Sequence, residues 1–98
     1  MSEIHAVAVI TAQQASVDEV RAALTQLVPP TRAEEGCLDY QLYESAVAPG
    51  TFITTERWRA QADLDAHLGT EHLQTALAQT ADHLAEPPGI HPLTPIEV

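Results

Sequence analysis

The chain has no lysine, a single cysteine and few aromatic residues, 4% of the total. Each scarcity excludes something. Fourteen acidic side chains face four arginines, for a formal net charge of −10 with histidines neutral. Nucleic-acid binding rests on neutralising phosphates with Lys and Arg, so this balance argues against it. The same field repels anionic membranes, so neither nucleic acid nor membrane is an expected partner. A neutral or weakly polar ligand meets no such repulsion. Cys37, standing alone, closes no internal disulfide. The start Met1-Ser2-Glu3-Ile4-His5 has no basic region and no apolar run long enough for a leader or a membrane span, so cytoplasmic residence is the expectation.

Against these absences stand 98 residues of which 45% are hydrophobic. That length permits one domain, residues 1–98. A domain of this size buries only roughly 60 to 65% of its unfolded surface, so a partner subunit would help its core.

Ile4 to Ala12, rich in Val, Ile and Ala without a breaker, reads as a buried strand. Ser16-Val17-Asp18-Glu19 has a capping-box pattern and predicts a helix start. Val17, Val20, Ala23, Leu24, Leu27 and Val28 then fall on one helical face. Pro29-Pro30 removes two donors and predicts a stop or kink, with one further turn ended by Gly36 in a left-handed conformation. Cys37 to Ser45 and Thr51 to Arg59 are β-rich runs around Pro49-Gly50 and predict an antiparallel hairpin. Helical patterning resumes at Gln61 and breaks at Gly69-Thr70. Thr70 then caps a longer helix to about Leu84. Ile90 to Val98 reads as a last strand whose two prolines confine it to an edge or to a path across another subunit.

Strand, helix, strand, strand, helix, strand is the order of an α+β fold, the ferredoxin-like βαββαβ arrangement: a four-stranded antiparallel sheet with helices on one face. An apolar outer face of that sheet would need cover, and a two-fold dimer with its sheets face to face supplies it.

Leu27-Val28-Pro29, Glu34-Glu35-Gly36-Cys37, Tyr40, Glu56-Arg57-Trp58, Leu64, Ala66-His67-Leu68 and Thr70-Glu71-His72 together resemble the antibiotic biosynthesis monooxygenase family over almost the whole chain. The resemblance is greatest to its quinol-monooxygenase-like members, small dimeric α+β-barrel proteins. It implies a homodimer acting on a small aromatic substrate and dioxygen without a cofactor. Haem-degrading relatives differ where this chain has Val7, Val9 and Ile10 in the first strand, His67 and Leu77. Of three residues shared by anthrone oxygenases this chain keeps Trp58, with Thr54 and Leu64 at the other two positions.

Side chains alternate along the third strand, so Phe52, Thr54, Glu56 and Trp58 share one face. If that face meets the helices, an aromatic, a hydroxyl, a carboxylate and an indole line one cleft suited to a flat phenol. Trp58 and Phe52 serve equally well as ordinary core. Glu56, a mid-strand carboxylate among apolar residues, needs either solvent or a partner, with Arg32, Arg57, Arg59 and His67 as candidates; a general base is its other reading. His67 lies on the helix face of Leu64 and Leu68, directed at the sheet. It either takes a proton from a quinol hydroxyl or bonds a structural acceptor. Tyr40 and Tyr43 have odd spacing, which sends them to opposite faces, Tyr40 toward the pocket. Catalytic candidates are therefore His67 and Glu56, with Trp58, Phe52, Thr54, Tyr40 and Leu64 shaping the substrate site. His67 and His72, five residues apart across a helix break, lack helical ligand spacing, so no metal is expected. No phosphate loop or nucleotide fingerprint offers a place for NAD or flavin. Three function classes follow: a cofactor-independent monooxygenase for a quinol or polyphenol, an isomerase or hydrolase acting on a small polar metabolite, and a non-catalytic ligand-binding dimer.

Overall fold

The computed structural model describes residues 3–98. Its elements run β1 (Ile4–Thr11), α1 (Val17–Arg32), β2 (Cys37–Glu44), β3 (Thr51–Trp58), α2 (Gln61–Leu68), α3 (Glu71–Thr80) and β4 (Gly89–Leu93). The strands form one antiparallel sheet in the order β2-β3-β1-β4. This is the ferredoxin-like order expected from the sequence, with β4 on an edge where Pro92 removes no interior ladder bond.

One face of the sheet is covered by the helices. Ala6, Ala8 and Ile10 of β1 and Phe52, Thr54, Glu56 and Trp58 of β3 are all buried there. Val20 and Leu24 of α1 come down onto them, four residues apart on one helical face. Two apolar clusters lie on the sheet, and a third, of Leu27, Leu73 and Ala76, joins α1 to α3. Ile10, Val20, Leu24 and Phe52 lie at one end of the sheet, and Ala6, Tyr40, Trp58 and Leu64 at the other. Between them the facing positions are Ala8 and Thr54, both small, and that economy of volume leaves space above the sheet.

The helix α1 continues through Pro29 and Pro30 to Arg32 instead of stopping. The carbonyls freed by the two missing donors belong to Thr25 and Gln26, which are exposed, so water satisfies them and the inward face of Leu27 and Thr31 stays packed. Gly36 is not left-handed; among the described residues Gly50, at φ 90°, is the glycine with positive φ. Gly36 matters for another reason, since a Cβ there would overlap the Asp63 carboxylate. Ser16 makes no capping bond; its hydroxyl meets His83 Nδ1 at 2.8 Å, which ties the start of α1 to the 3-10 turn after α3. Thr70 does cap, accepting from the Leu73 N–H. The helix it opens ends at Thr80, short of Leu84, and the last strand ends at Leu93, short of Val98.

The strand β2 carries a bulge between Cys37 and Asp39, so that Cys37 pairs with Trp58 and Tyr40 with Glu56. Residues an odd number apart thereby reach the same sheet face. Cys37 and Tyr40 both pack in the cluster around Trp58.

Candidate active site

A narrow cleft with about 40 Å³ of free volume lies between the sheet and the helices α1 and α3. Its floor is Ala8, Thr54 and Glu56, and its walls include Leu24, Leu27, Leu73 and Ala76. Polar groups gather at the end where Tyr40, Glu56 and His67 meet. An apolar lining with a few convergent polar groups is the usual composition of a small-molecule site.

Glu56 is 7% exposed and no cation among the described residues bonds it. Its Oε2 accepts from the Thr54 hydroxyl at 2.6 Å and its Oε1 from the Trp58 indole N–H at 3.0 Å. Thr54 Oγ1 in turn accepts from the backbone N–H of Ala8 at 3.1 Å. Two neutral donors replace part of the carboxylate's hydration, and further lone pairs stay available to a donor in the cleft. None of the four candidate partners named from the sequence bonds it: Arg57 projects from the opposite face, and His67 has another acceptor.

His67 occupies the last turn of α2, three residues after Leu64 and on the same buried face. Its Nδ1 lies 2.7 Å from Glu34 Oε2. The same oxygen lies 2.7 Å from Nε2 of His72, in the first turn of α3. The Nε2 of His67 makes no hydrogen bond among the described residues, and His67 is one of the residues lining the cleft. A carboxylate on Nδ1 selects the tautomer that leaves Nε2 as an acceptor and stabilises the ring once it is charged.

Tyr40 is 3% exposed and its ring centroid lies 6.0 Å from that of His67. Burial, reinforced by the Glu56, Cys37 and Glu34 charges, pushes its phenol far above the ordinary tyrosine value. Tyr40 therefore stays a neutral donor at any working pH and is no base.

Trp58, Phe52 and Leu64, expected to touch substrate, lie beneath the wall and not in it. Each is at most 1% exposed and belongs to a packed cluster. The indole backs the His67 ring at a centroid separation of 4.7 Å. The sequence reading missed Glu34 as the partner of His67. The two are 33 positions apart, and no periodicity links a residue beyond the end of α1 to one at the end of α2. It missed also Leu73, Ala76 and Leu77 of α3, whose spacing signals an amphipathic helix but not what that helix covers.

The profile of the family described as antibiotic biosynthesis monooxygenase matches residues 3–79. The chain belongs to this family. A relative named "Putative monooxygenase Rv0793", from Mycobacterium tuberculosis, is 40% identical over 78 residues, covering 80% of this chain and 76% of its own. Another, YcnE from Bacillus subtilis, is 33% identical over 70 residues, covering 71% and 74%. The solved structure of Rv0793 superposes with a TM-score of 0.89 at 34% identity over 99% of this chain and 98% of that one. The structure of PA3566 from Pseudomonas aeruginosa gives 0.90 at 30% identity over 99% and 97%. The family match thus runs from β1 into α3 and includes Glu34, Tyr40, Glu56, His67 and His72.

Proposed function

We propose that this family member is a monooxygenase that oxidises a quinol or polyphenolic aromatic compound with dioxygen, with His67 as proton acceptor and Glu56 and Tyr40 holding the substrate. The observation that carries the reading is His67 lining an apolar cleft, with Glu34 on its Nδ1 and its Nε2 without a partner among the described residues. The monooxygenase name of the 40% identical relative supports the reaction class.

Loss of the phenolic proton to Nε2 makes the ring electron-rich enough to give an electron to dioxygen, and the resulting pair recombines at a ring carbon as a hydroperoxide. Loss of water then leaves a carbonyl. One oxygen atom stays on the ring, and the other leaves with the phenolic hydrogen and the hydrogen of that carbon, so no external reductant is required. Positioning and exclusion of water in the apolar cleft are the protein's other contributions. A second hydroxyl on the substrate can donate to Glu56, and Tyr40 can donate to a ring oxygen. Thr54 has a smaller part, because its hydroxyl hydrogen is committed to Glu56.

An isomerase or hydrolase for a phosphorylated metabolite fits less well, because none of the four arginines lines the cleft. The proposed assembly is a homodimer through the outer sheet face, where Val7, Val9 and Ile53 are half-buried and Tyr43 is exposed. The test is oxygen uptake with a panel of reduced naphthoquinols, with anaerobic controls. Uptake well above autoxidation in the wild type, lost in His67→Ala, is expected; equal rates with and without protein would remove the reading.

A further inference from the structure

Glu34, His67 and His72 bring one carboxylate oxygen and two imidazole nitrogens within 4.8 Å of one another. We propose that these three side chains form a binding site for one divalent transition-metal ion of the zinc class. A further consequence rests on the oxidation proposed above: an ion on Nδ1 takes the position from which Glu34 selects the proton-accepting form of His67.

Three observations favour a built site over a chance meeting of polar groups. The donors come from three places that the fold fixes separately: the turn after α1, the end of α2 and the start of α3. The junction carrying both histidines is pinned by Thr70, whose hydroxyl bonds the His67 carbonyl at 2.8 Å and caps the Leu73 N–H. Two nitrogens and one carboxylate are the donor set of open zinc sites, in which water takes the fourth position; calcium and magnesium prefer all-oxygen shells.

The distances allow it. Donors around a tetrahedral zinc ion stand about 3.3 Å apart, so as the ion enters the two 2.7 Å contacts to Glu34 Oε2 open by roughly half an ångström and the two imidazole nitrogens, within 4.8 Å of each other, settle at that same spacing. Access is from outside the cleft. The His72 side chain is 26% exposed and lines a separate open depression between α1 and α3, beside Gln26 and Glu71. The net charge of −10 raises the local concentration of cations.

Occupancy changes what His67 can do. With its Nδ1 lone pair on the ion, the neutral ring carries its proton on Nε2, so the nitrogen left for the cleft donates and no longer accepts. Zinc would then act as a brake on the reaction and not as its cofactor.

The experiment uses the full chain stripped with a chelator. Calorimetric titration with Zn2+ and visible absorption with Co2+ are expected to show one ion per chain, with Co2+ displaced by Zn2+. His72→Ala and Glu34→Gln, checked for native circular dichroism, should each weaken binding by about tenfold to a hundredfold. His83→Ala/His91→Ala should bind as the wild type does. Absence of saturable binding, or unchanged affinity in His72→Ala, overturns the site. Oxygen uptake by the zinc-loaded wild type should fall to the level of His67→Ala; undiminished uptake with bound zinc overturns the brake. Metal binding without any oxygen uptake leaves the site standing and removes the oxidation reading instead.

Discussion

The imidazole of His67 rests against the indole of Trp58, ring centroids 4.7 Å apart and planes tilted by 36°. The indole's only polar atom is turned to Glu56 at 3.0 Å. Trp58 therefore acts on the cleft through two neighbours without facing it, and its replacement separates packing from polarity. Trp58→Ala should lower unfolding stability by about 3 to 5 kcal/mol, as for other buried large aromatics. Trp58→Phe keeps most of the apolar volume and leaves Glu56 one donor short, a loss of about 1 to 3 kcal/mol. Urea unfolding of the two variants measures both.

His67→Ala should reduce the proposed oxidation by about a hundredfold to ten-thousandfold, the range that a positioned base contributes. Glu34→Gln keeps the shape and withdraws the charge behind Nδ1. It should lower the chemical step by at least about tenfold with little change in KM, since Glu34 does not line the cleft. Single-turnover and steady-state oxygen consumption distinguish a lost base from lost substrate binding.

Gly50→Ala should destabilise by about 1 to 2 kcal/mol, because its φ of 90° places a side chain against the backbone. Gly36→Ala should destabilise by about 1 to 3 kcal/mol for a steric reason, the overlap with Asp63. Repairing the second, in Gly36→Ala/Asp63→Gly, should recover part of the loss; no such partner variant should rescue the first. Denaturant midpoints report both.

Acid should loosen the link between α1 and the hairpin. Arg21 donates to Glu44 Oε1 at 2.8 Å and the Gly50 N–H to Glu44 Oε2 at 3.0 Å, and these bonds, the arginine's first, hold the Glu44 carboxyl below its ordinary 4.5. A folded-state value below the unfolded one gives stability that is present above about pH 4.5 and lost as pH falls through the folded value. Glu44→Gln should flatten that part of the stability profile. Thermal unfolding between neutral pH and pH 3 would show it.

Cys37 should alkylate slowly at neutral pH. Burial first, then the Glu34, Glu56 and Asp39 charges, pushes its thiol upward, which lowers the thiolate fraction that reacts. Its rate with iodoacetamide should fall below that of an unhindered model thiol and climb with alkaline pH; an equal rate would contradict the packing of Cys37 beside Trp58.

Much of the fold was legible along the chain. The alternation of Phe52, Thr54, Glu56 and Trp58, the Pro49-Gly50 turn and the Thr70 cap are local patterns, read from neighbours two to four positions apart. The path of α1 through Pro29-Pro30 was not legible, because its tolerance depends on Thr25 and Gln26 facing water. Nor was the bulge at Leu38, which puts Cys37 and Tyr40 on one face against the simple rule of alternation. In the candidate site, Glu56, His67, Thr54 and Tyr40 were named from residue type and face. Trp58, Phe52 and Leu64 share that face but lie below the cleft floor and walls, a distinction of depth that periodicity does not carry.

The amino-acid sequence by itself determined the element order, which residues of β3 share a face and a net charge that disfavours anionic partners, because these follow from local periodicity and from counting. Only the tertiary structure decided that Glu34 stands between His67 and His72, and that Ala8 and Thr54 leave a cleft beside them. Those facts depend on distances between residues far apart in the chain, set when three helices and a sheet pack around the volume that small side chains leave unfilled.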